Sequence, residues 1–85
     1  MFKLLNKRRL FRKLVKAIGE CPNREVGVWA LKTMHALEQA KGGNAAIHFA
    51  ALLVAGGSLE AGRPKALNYL THTLEQLEAD EQPRV

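Results

Sequence analysis

Four stretches of the sequence repeat apolar side chains at intervals of three and four residues, and glycine, proline or asparagine separates each stretch from the next. This interval matches the turn of an α-helix, and it constrains the fold more than any other feature of the chain. Strict alternation of apolar and polar residues, which is typical of β-strands, nowhere persists over the length of a strand. We therefore predict an all-α fold, a small single-domain bundle of about four helices.

The boundaries of the helices follow from residues that start and stop helical structure. Pairs of glycines at 42–43 and 56–57 interrupt the periodic stretches, and Pro64 suits the first turn of a helix. We expect helices at about 3–18, 23–41, 44–55 and 64–79. Acidic residues near the end of the fourth helix oppose its dipole, so we expect residues 80–85 to form a frayed tail.

The first helix is predicted to be strongly amphipathic. Its apolar residues recur at helical spacing and fall on one side of the helix, whereas its Lys and Arg residues gather on the opposite side. The residues of the apolar side are Leu4, Phe11, Leu14, Val15 and Ile18. We expect this side to join the core of the bundle.

The third stretch, residues 45–55, is apolar nearly all round, and His48 is its only strongly polar side chain. A helix that is apolar on every side is typical of the interior of a bundle. We therefore predict that the third helix is the central one. Burial of His48 there would require a hydrogen-bond partner for its ring.

Positive charge is concentrated at the amino-terminal end of the chain. Seven of its 13 Lys and Arg residues lie within the first 16 positions, so residues 1–19 carry a net charge of +7 and the rest a net charge of −2. A cluster of one sign raises the local potential and attracts anionic surfaces. We predict that a partner is bound electrostatically by six of these cations: Lys7, Arg8, Arg9, Arg12, Lys13 and Lys16.

The charge cluster does not by itself identify the partner. An acidic protein surface, the phosphates of a nucleic acid and an anionic membrane surface all suit a helix with one cationic and one apolar side. The chain's own acidic C-terminal segment is a further match, in an antiparallel or dimeric arrangement. We expect a protein partner first, with nucleic acid as the alternative and a membrane surface as the less favoured one.

Apolar residues in the second and fourth helices are candidates for the rest of an interface. Leucines repeat at alternating steps of three and four residues between positions 67 and 77, which suits either the core or a partner helix. Trp and Met side chains are frequent anchors of protein interfaces. The predicted apolar contacts are Trp29, Met34, Leu70, Leu74 and Leu77. Since a chain of 85 residues has a marginal core, this stripe also suits a homodimer.

The sequence gives little support for catalysis or for a bound cofactor. It has one serine, Ser58, one aspartate, Asp80, and no glycine-rich phosphate loop. Its three histidines, His35, His48 and His72, fall on three predicted helices without a second ligand at metal-binding spacing. We predict that the chain is not an enzyme and that it has no catalytic residue, cofactor site or metal site.

Cysteine content and hydropathy bear on the compartment. Cys21 is the only cysteine, so no intramolecular disulfide can form, which fits a reducing compartment. The longest apolar run, residues 49–55, is far shorter than the roughly 20 residues that cross a bilayer. We predict a cytoplasmic location.

These observations favour a non-catalytic protein-interaction module, acting as a small adaptor, regulator or inhibitor with a cationic N-terminal helix. The alternative is a nucleic-acid-binding accessory protein that places the basic helix on phosphates, with little reading of base sequence. The two functions differ in their response to salt, because phosphate contacts release counterions and weaken steeply as salt rises.

Overall fold

Four α-helices and one short 3-10 turn make up the computed structural model, which describes the backbone of residues 4–81 and the side chains of residues 7–79. The elements are α1 (Leu4–Glu20), the 3-10 turn (Asn23–Glu25), α2 (Val26–Lys41), α3 (Gly43–Val54) and α4 (Leu59–Glu81). No strand occurs within residues 4–81. The prediction of a small all-α bundle of four helices is confirmed.

The helices α1 and α4 pack side by side in opposite directions. Arg12, at the middle of α1, donates a hydrogen bond to Glu78 near the end of α4. The carbonyl of Ile18, near the end of α1, instead accepts a hydrogen bond from Arg63 near the start of α4. The start of α1 and the end of α4 therefore lie at the same end of the bundle.

The other two helices complete an up-down-up-down arrangement. Gly27, at the start of α2, lies beside Leu59 at the start of α4, and Lys41 at the end of α2 donates a hydrogen bond to Gln76 at 2.7 Å. The helix α3 packs between α2 and α4, and the ring centroids of His48 on α3 and Tyr69 on α4 are 4.6 Å apart. Neighbouring helices are thus antiparallel, and α1 and α3 occupy opposite corners.

The core is built from the apolar side of each helix. Of the predicted stripe of α1, Phe11, Leu14 and Ile18 are buried and Val15 is half-buried, whereas the side chain of Leu4 lies outside the described residues. Two buried threonines, Thr33 and Thr73, satisfy their hydroxyl groups by donating to the carbonyl oxygens of Trp29 (2.7 Å) and Tyr69 (3.0 Å). The apolar core consists of Phe11, Leu14, Ile18, Val26, Ala30, Ala36, Leu37, Ala45, Ala46, Phe49, Leu53, Ala66, Leu70 and Leu77.

The predicted position of the third helix is wrong. The helix α3 packs against α2 and α4 but not appreciably against α1, so it lies at a corner of the bundle and not at its centre. His48 is exposed, and Ile47 and Val54 also face solvent. The all-round apolar character of α3 therefore leaves an apolar surface on the outside.

The fourth helix begins at Leu59, earlier than the predicted residue 64. Ser58 starts it, since its hydroxyl oxygen accepts a hydrogen bond at 3.1 Å from the backbone N–H of Ala61. Pro64 therefore lies inside α4, where it is exposed and removes one backbone donor. The predicted start of the fourth helix at Pro64 is therefore wrong, because this proline lies inside the helix.

The helix α4 extends two residues beyond the predicted end at residue 79. Asp80 and Glu81 are helical, whereas residues 82–85 lie outside the described residues. The cationic start of α1 lies alongside this end, and Arg12 pairs with Glu78. The positive charge of Arg12 offsets the unfavourable interaction between Glu78 and the dipole of α4.

A single residue, Gly42, connects α2 to α3. Its backbone has φ 100° and ψ 170°, a conformation that side chains other than hydrogen rarely allow. Its N–H donates to the carbonyl of Glu38 at 2.9 Å, and its own carbonyl accepts from Ala45 at 3.2 Å. Gly42 thus ends one helix and begins the next, so that α2 and α3 form a tight antiparallel hairpin.

Arg63, near the start of α4, holds the end of α1 and the turn that follows it. Its Nη1 donates to the carbonyl oxygens of Ile18 (3.2 Å) and Cys21 (2.7 Å), and its Nη2 donates to the side chain of Asn23. Carbonyl groups at the end of a helix lack partners within that helix. One guanidinium group therefore joins α1, the 3-10 turn and α4.

Replacing Arg63 by methionine should lower the free energy of unfolding by about 2 kcal/mol, because hydrogen bonds from a charged donor contribute about 1.5–3 kcal/mol each and these are only half-buried. Urea denaturation of both proteins measures the difference. The control is Lys65→Met, an exposed position on the same helix, for which we expect a change within about 0.5 kcal/mol. Equal losses in the two variants would contradict this role of Arg63.

Candidate functional site

The six cations predicted to bind a partner divide into two groups in the folded bundle. Arg9, Lys13 and Lys16 are exposed and occupy successive turns of α1. At a rise of about 1.5 Å per residue, neighbouring members of this group are about 4.5–6 Å apart along the helix axis. We call these three residues the basic ridge.

The other three cations are either half-buried or paired with an acidic side chain. Arg12 is paired with Glu78, whose Oε2 accepts hydrogen bonds from Nε at 3.2 Å and Nη2 at 2.8 Å. Lys7 and Arg8 are half-buried. Because both partners of the Arg12–Glu78 pair are partly exposed, it contributes only about 0–1 kcal/mol to stability. It does, however, neutralise one of the cations that the sequence assigned to a partner.

A groove runs between α1 and α2 next to the basic ridge. Its floor is apolar, and a lysine stands on each side, Lys13 on α1 and Lys32 on α2. His35 and Gln39, whose side chains bond at 3.1 Å, also line it. The groove encloses about 310 Å³. Its floor is formed by Leu10, Leu14, Trp29 and Ala36.

Trp29 lies at the centre of this region. Its ring is half-buried, and the ammonium group of Lys32 lies 4.7 Å from the ring centroid, within the range of a cation–π interaction. Trp29 and Lys13 also line a second depression, which continues along the same seam towards Lys16 and Cys21. The seam thus presents an indole ring with positive charge on both sides.

Lys32 belongs to this surface although the charge cluster in the sequence did not include it. It lies on the second helix, outside the basic stretch of the first 16 residues. Its position three residues after Trp29 was a usable signal, since residues three apart are neighbours on a helix. Glu20 is the acidic residue among those that line the seam.

The predicted apolar contacts are spread over the bundle and do not form one surface. Trp29 is in the α1–α2 groove, but Leu70 is fully buried in the core, and Leu77 is buried at a separate depression between α2 and α4. Met34 and Leu74 are half-buried and pack against that core. The leucines of the stripe therefore pack mainly in or against the core of the bundle.

A second exposed surface was missed by the sequence analysis. Four large apolar side chains on α2 and α3 face solvent: Val28 (56% exposed), Leu31 (69%), Ile47 (67%) and Val54 (59%). We call Leu31, Ile47 and Val54 together the α2–α3 apolar face. Periodicity alone did not find them, because a helix that is apolar all round does not indicate which of its sides lacks a neighbour.

The histidines do not come together. His48 contacts Tyr69, whereas His35 and His72 each bond to a glutamine one turn further along their own helices. Within the part of the chain that the structure describes, no three His, Cys, Asp or Glu residues form a group that could hold a metal ion.

Comparisons with known proteins assign no relative to this fold and surface. None of the helices within residues 4–81 combines the length and the apolar character that a bilayer span requires. No protein-family model matches the chain, and neither the curated proteins nor the solved structures give a significant match.

Proposed function

We propose that the chain is a non-catalytic protein-interaction module and that its α1–α2 groove takes an acidic amphipathic segment of a partner protein. The observation that carries this proposal is the apolar floor around Trp29 with Lys13 and Lys32 on its two sides. A complementary ligand presents an apolar side chain flanked by carboxylates. An amphipathic helix with acidic flanks has this arrangement.

The apolar and the charged parts of the groove contribute differently to binding. An apolar side chain that enters the floor gains about 25 cal/mol for each Å² of apolar surface removed from water. Tryptophan is among the residues that most often dominate such contacts. The lysines act mainly on the rate of association and on the choice of partner, because opposite charges steer encounter and like charges exclude competitors.

The basic ridge extends the cationic surface beyond the groove. Arg9 and Lys16 lie one turn before and after Lys13 on the exposed side of α1. Within the described side chains of α1, the apolar residues Phe11, Leu14 and Ile18 are inside the bundle, so a membrane would meet the cationic side of this part of the helix. This supports a partner with both acidic and apolar groups that can enter the groove.

A nucleic acid is the second candidate, and the basic ridge favours it. Arg9, Lys13 and Lys16 are spaced along one helix face and can each contact a phosphate. Trp29, beside them, offers a ring on which a base can stack. The pairing of Arg12 with Glu78 and the presence of Glu20 on the seam lower the positive charge available to a phosphate backbone.

The proposal is tested by capture of partners with two variants of equal charge. Lys13→Glu with Lys32→Glu reverses both sides of the groove, whereas Arg24→Glu with Lys65→Glu makes the same change in net charge at exposed sites that do not line it. Nuclease-treated extract is passed over each immobilised protein. We expect a protein that is retained by the unmodified chain and the control but reduced about tenfold or more on the groove variant.

The chemistry of the ligand is tested by fluorescence, because Trp29 is the only tryptophan of the chain. A tryptophan-free acidic amphipathic peptide should shift the emission of Trp29, and a peptide of the same composition in scrambled order should not. Single-stranded and duplex oligonucleotides are titrated in parallel at low and physiological salt. Oligonucleotide binding that persists at physiological salt, with no specific protein captured, would replace the proposal by the nucleic-acid function.

A further inference from the structure

We propose that a second copy of this chain binds the α2–α3 apolar face, so that the protein forms a two-fold symmetric dimer. This inference is independent of the function assigned to the α1–α2 groove. It begins with the exposure of Leu31, Ile47 and Val54. Single exposed apolar residues are common, but an exposed group of this kind on adjacent elements marks an interaction site.

These three side chains lie on one side of the α2–α3 hairpin. The two helices are joined by Gly42 alone and run antiparallel, so residues at equal distance from Gly42 lie at the same height. Leu31 and Val54 are at nearly equal distances on the two helices. Ile47 is two turns from Val54 on the same side of α3, and Leu31 points away from the side of α2 that lines the groove.

The absence of charge on α3, which forms most of this face, favours a second copy, whereas Glu38, two turns after Leu31 on α2, borders the face. From residue 42 to residue 59 the sequence contains no Lys, Arg, Asp or Glu. In a two-fold interface the same patch meets itself, so that charged groups near the axis would face groups of their own sign. An uncharged α3 at the axis avoids this repulsion.

The position of the face within the bundle also favours self-association. The basic ridge is on α1, which occupies the corner opposite α3. Pairing through α3 therefore keeps the cationic surfaces of two chains, each with a net charge of +5, on the outer sides of the dimer. A membrane surface is less well matched, because helices that lie on anionic lipid carry their cations along the apolar side.

The helix α3 has a self-complementary order of large and small residues. A two-fold axis between Ala50 and Ala51 places Ile47 of each copy opposite Val54 of the other, since both lie equally far from the axis. The alanines at the crossing allow the two α3 helices to approach closely. Leu31 borders the same contact from α2. The small number of side chains involved indicates a weak dimer that depends on concentration.

The test uses opposite charges at Ile47 and Val54, which are exposed and therefore tolerate substitution in the folded chain. One variant carries Ile47→Glu with Val54→Glu, and the other carries Ile47→Lys with Val54→Lys. Sedimentation equilibrium of the unmodified chain should show a mass that rises from one copy towards two as concentration increases. Each variant alone should associate at least about tenfold more weakly, because like charges meet at the axis.

Mixing the two variants should restore association, because each glutamate then faces a lysine of the other copy. The control is Asn68→Glu with His72→Glu, an exposed pair on α4, which should dimerise as the unmodified chain does. Circular dichroism of all proteins checks that the helices are retained. A monomeric unmodified chain at the highest concentration, or glutamate and lysine variants that dimerise as strongly as it does, would overturn the proposal.

Discussion

Replacing Gly62 by alanine is expected to destabilise the bundle by more than the roughly 1–3 kcal/mol that overpacking usually costs. A Cβ atom at this position overlaps the backbone carbonyl of Leu53 and lies 2.8 Å from the carbonyl oxygen of Leu52. These are backbone atoms of α3, so rotation of a side chain cannot relieve the clash. The helices α3 and α4 would have to separate, and the core between them would lose contacts.

The matched control for this prediction is the same substitution at Gly27. A Cβ atom there meets only the side chain of Leu59, at an ordinary contact distance of 3.7 Å. Alanine is a better helix former than glycine, so Gly27→Ala should raise the free energy of unfolding by up to about 1 kcal/mol. Urea denaturation followed by circular dichroism gives both values. A neutral Gly62→Ala would show that α3 and α4 do not approach this closely.

Replacing Phe11 by alanine should lower the free energy of unfolding by about 3–5 kcal/mol, because a fully buried ring is removed and a cavity remains. Phe11 is 0% exposed although it lies in the middle of the basic stretch. The size of the loss therefore shows whether α1 belongs to the cooperative core or folds separately from it. A detached helix would tolerate this substitution with a loss of less than about 1 kcal/mol.

Arg9→Ala is the control on the same helix. Arg9 is on the exposed side of α1, so its loss should change the free energy of unfolding by no more than about 0.5 kcal/mol. The emission of Trp29, which lies on the seam between α1 and α2, follows unfolding in both variants. Coincidence of this signal with circular dichroism would confirm that α1 unfolds with the rest of the bundle.

The helical pattern predicted much of the core because apolar side chains that recur at helical spacing fall on one side of a helix, and that side is the one buried. In α1 the predicted stripe includes Phe11, Leu14 and Ile18, and all three are buried. The position of α3 could not be predicted in this way. A stretch that is apolar all round has no preferred side, and its orientation is set by Gly42 and by the close approach of Gly62, which are properties of the assembled bundle.

The candidate site was only partly accessible from the sequence for a similar reason. Charge clustering identified the cations of α1, but it did not show that Arg12 pairs with Glu78, 66 residues further along the chain. Nor did it show that Lys32 and Lys13 stand on the two sides of one groove. These relations depend on which helices become neighbours, and periodicity within a helix carries no such information.

Because the turn at Gly42 is a single residue, the entropic cost of chain closure is smaller for the α2–α3 pair than for the α1–α4 pair. One residue connects α2 to α3, so bringing these helices together orders almost no additional chain. Joining α1 to α4 closes a loop that includes the whole middle of the sequence, and the entropic cost of closure increases with the logarithm of loop length. The packing of α1 against α4 therefore has the larger entropic cost, and the contacts of the folded bundle must offset that cost.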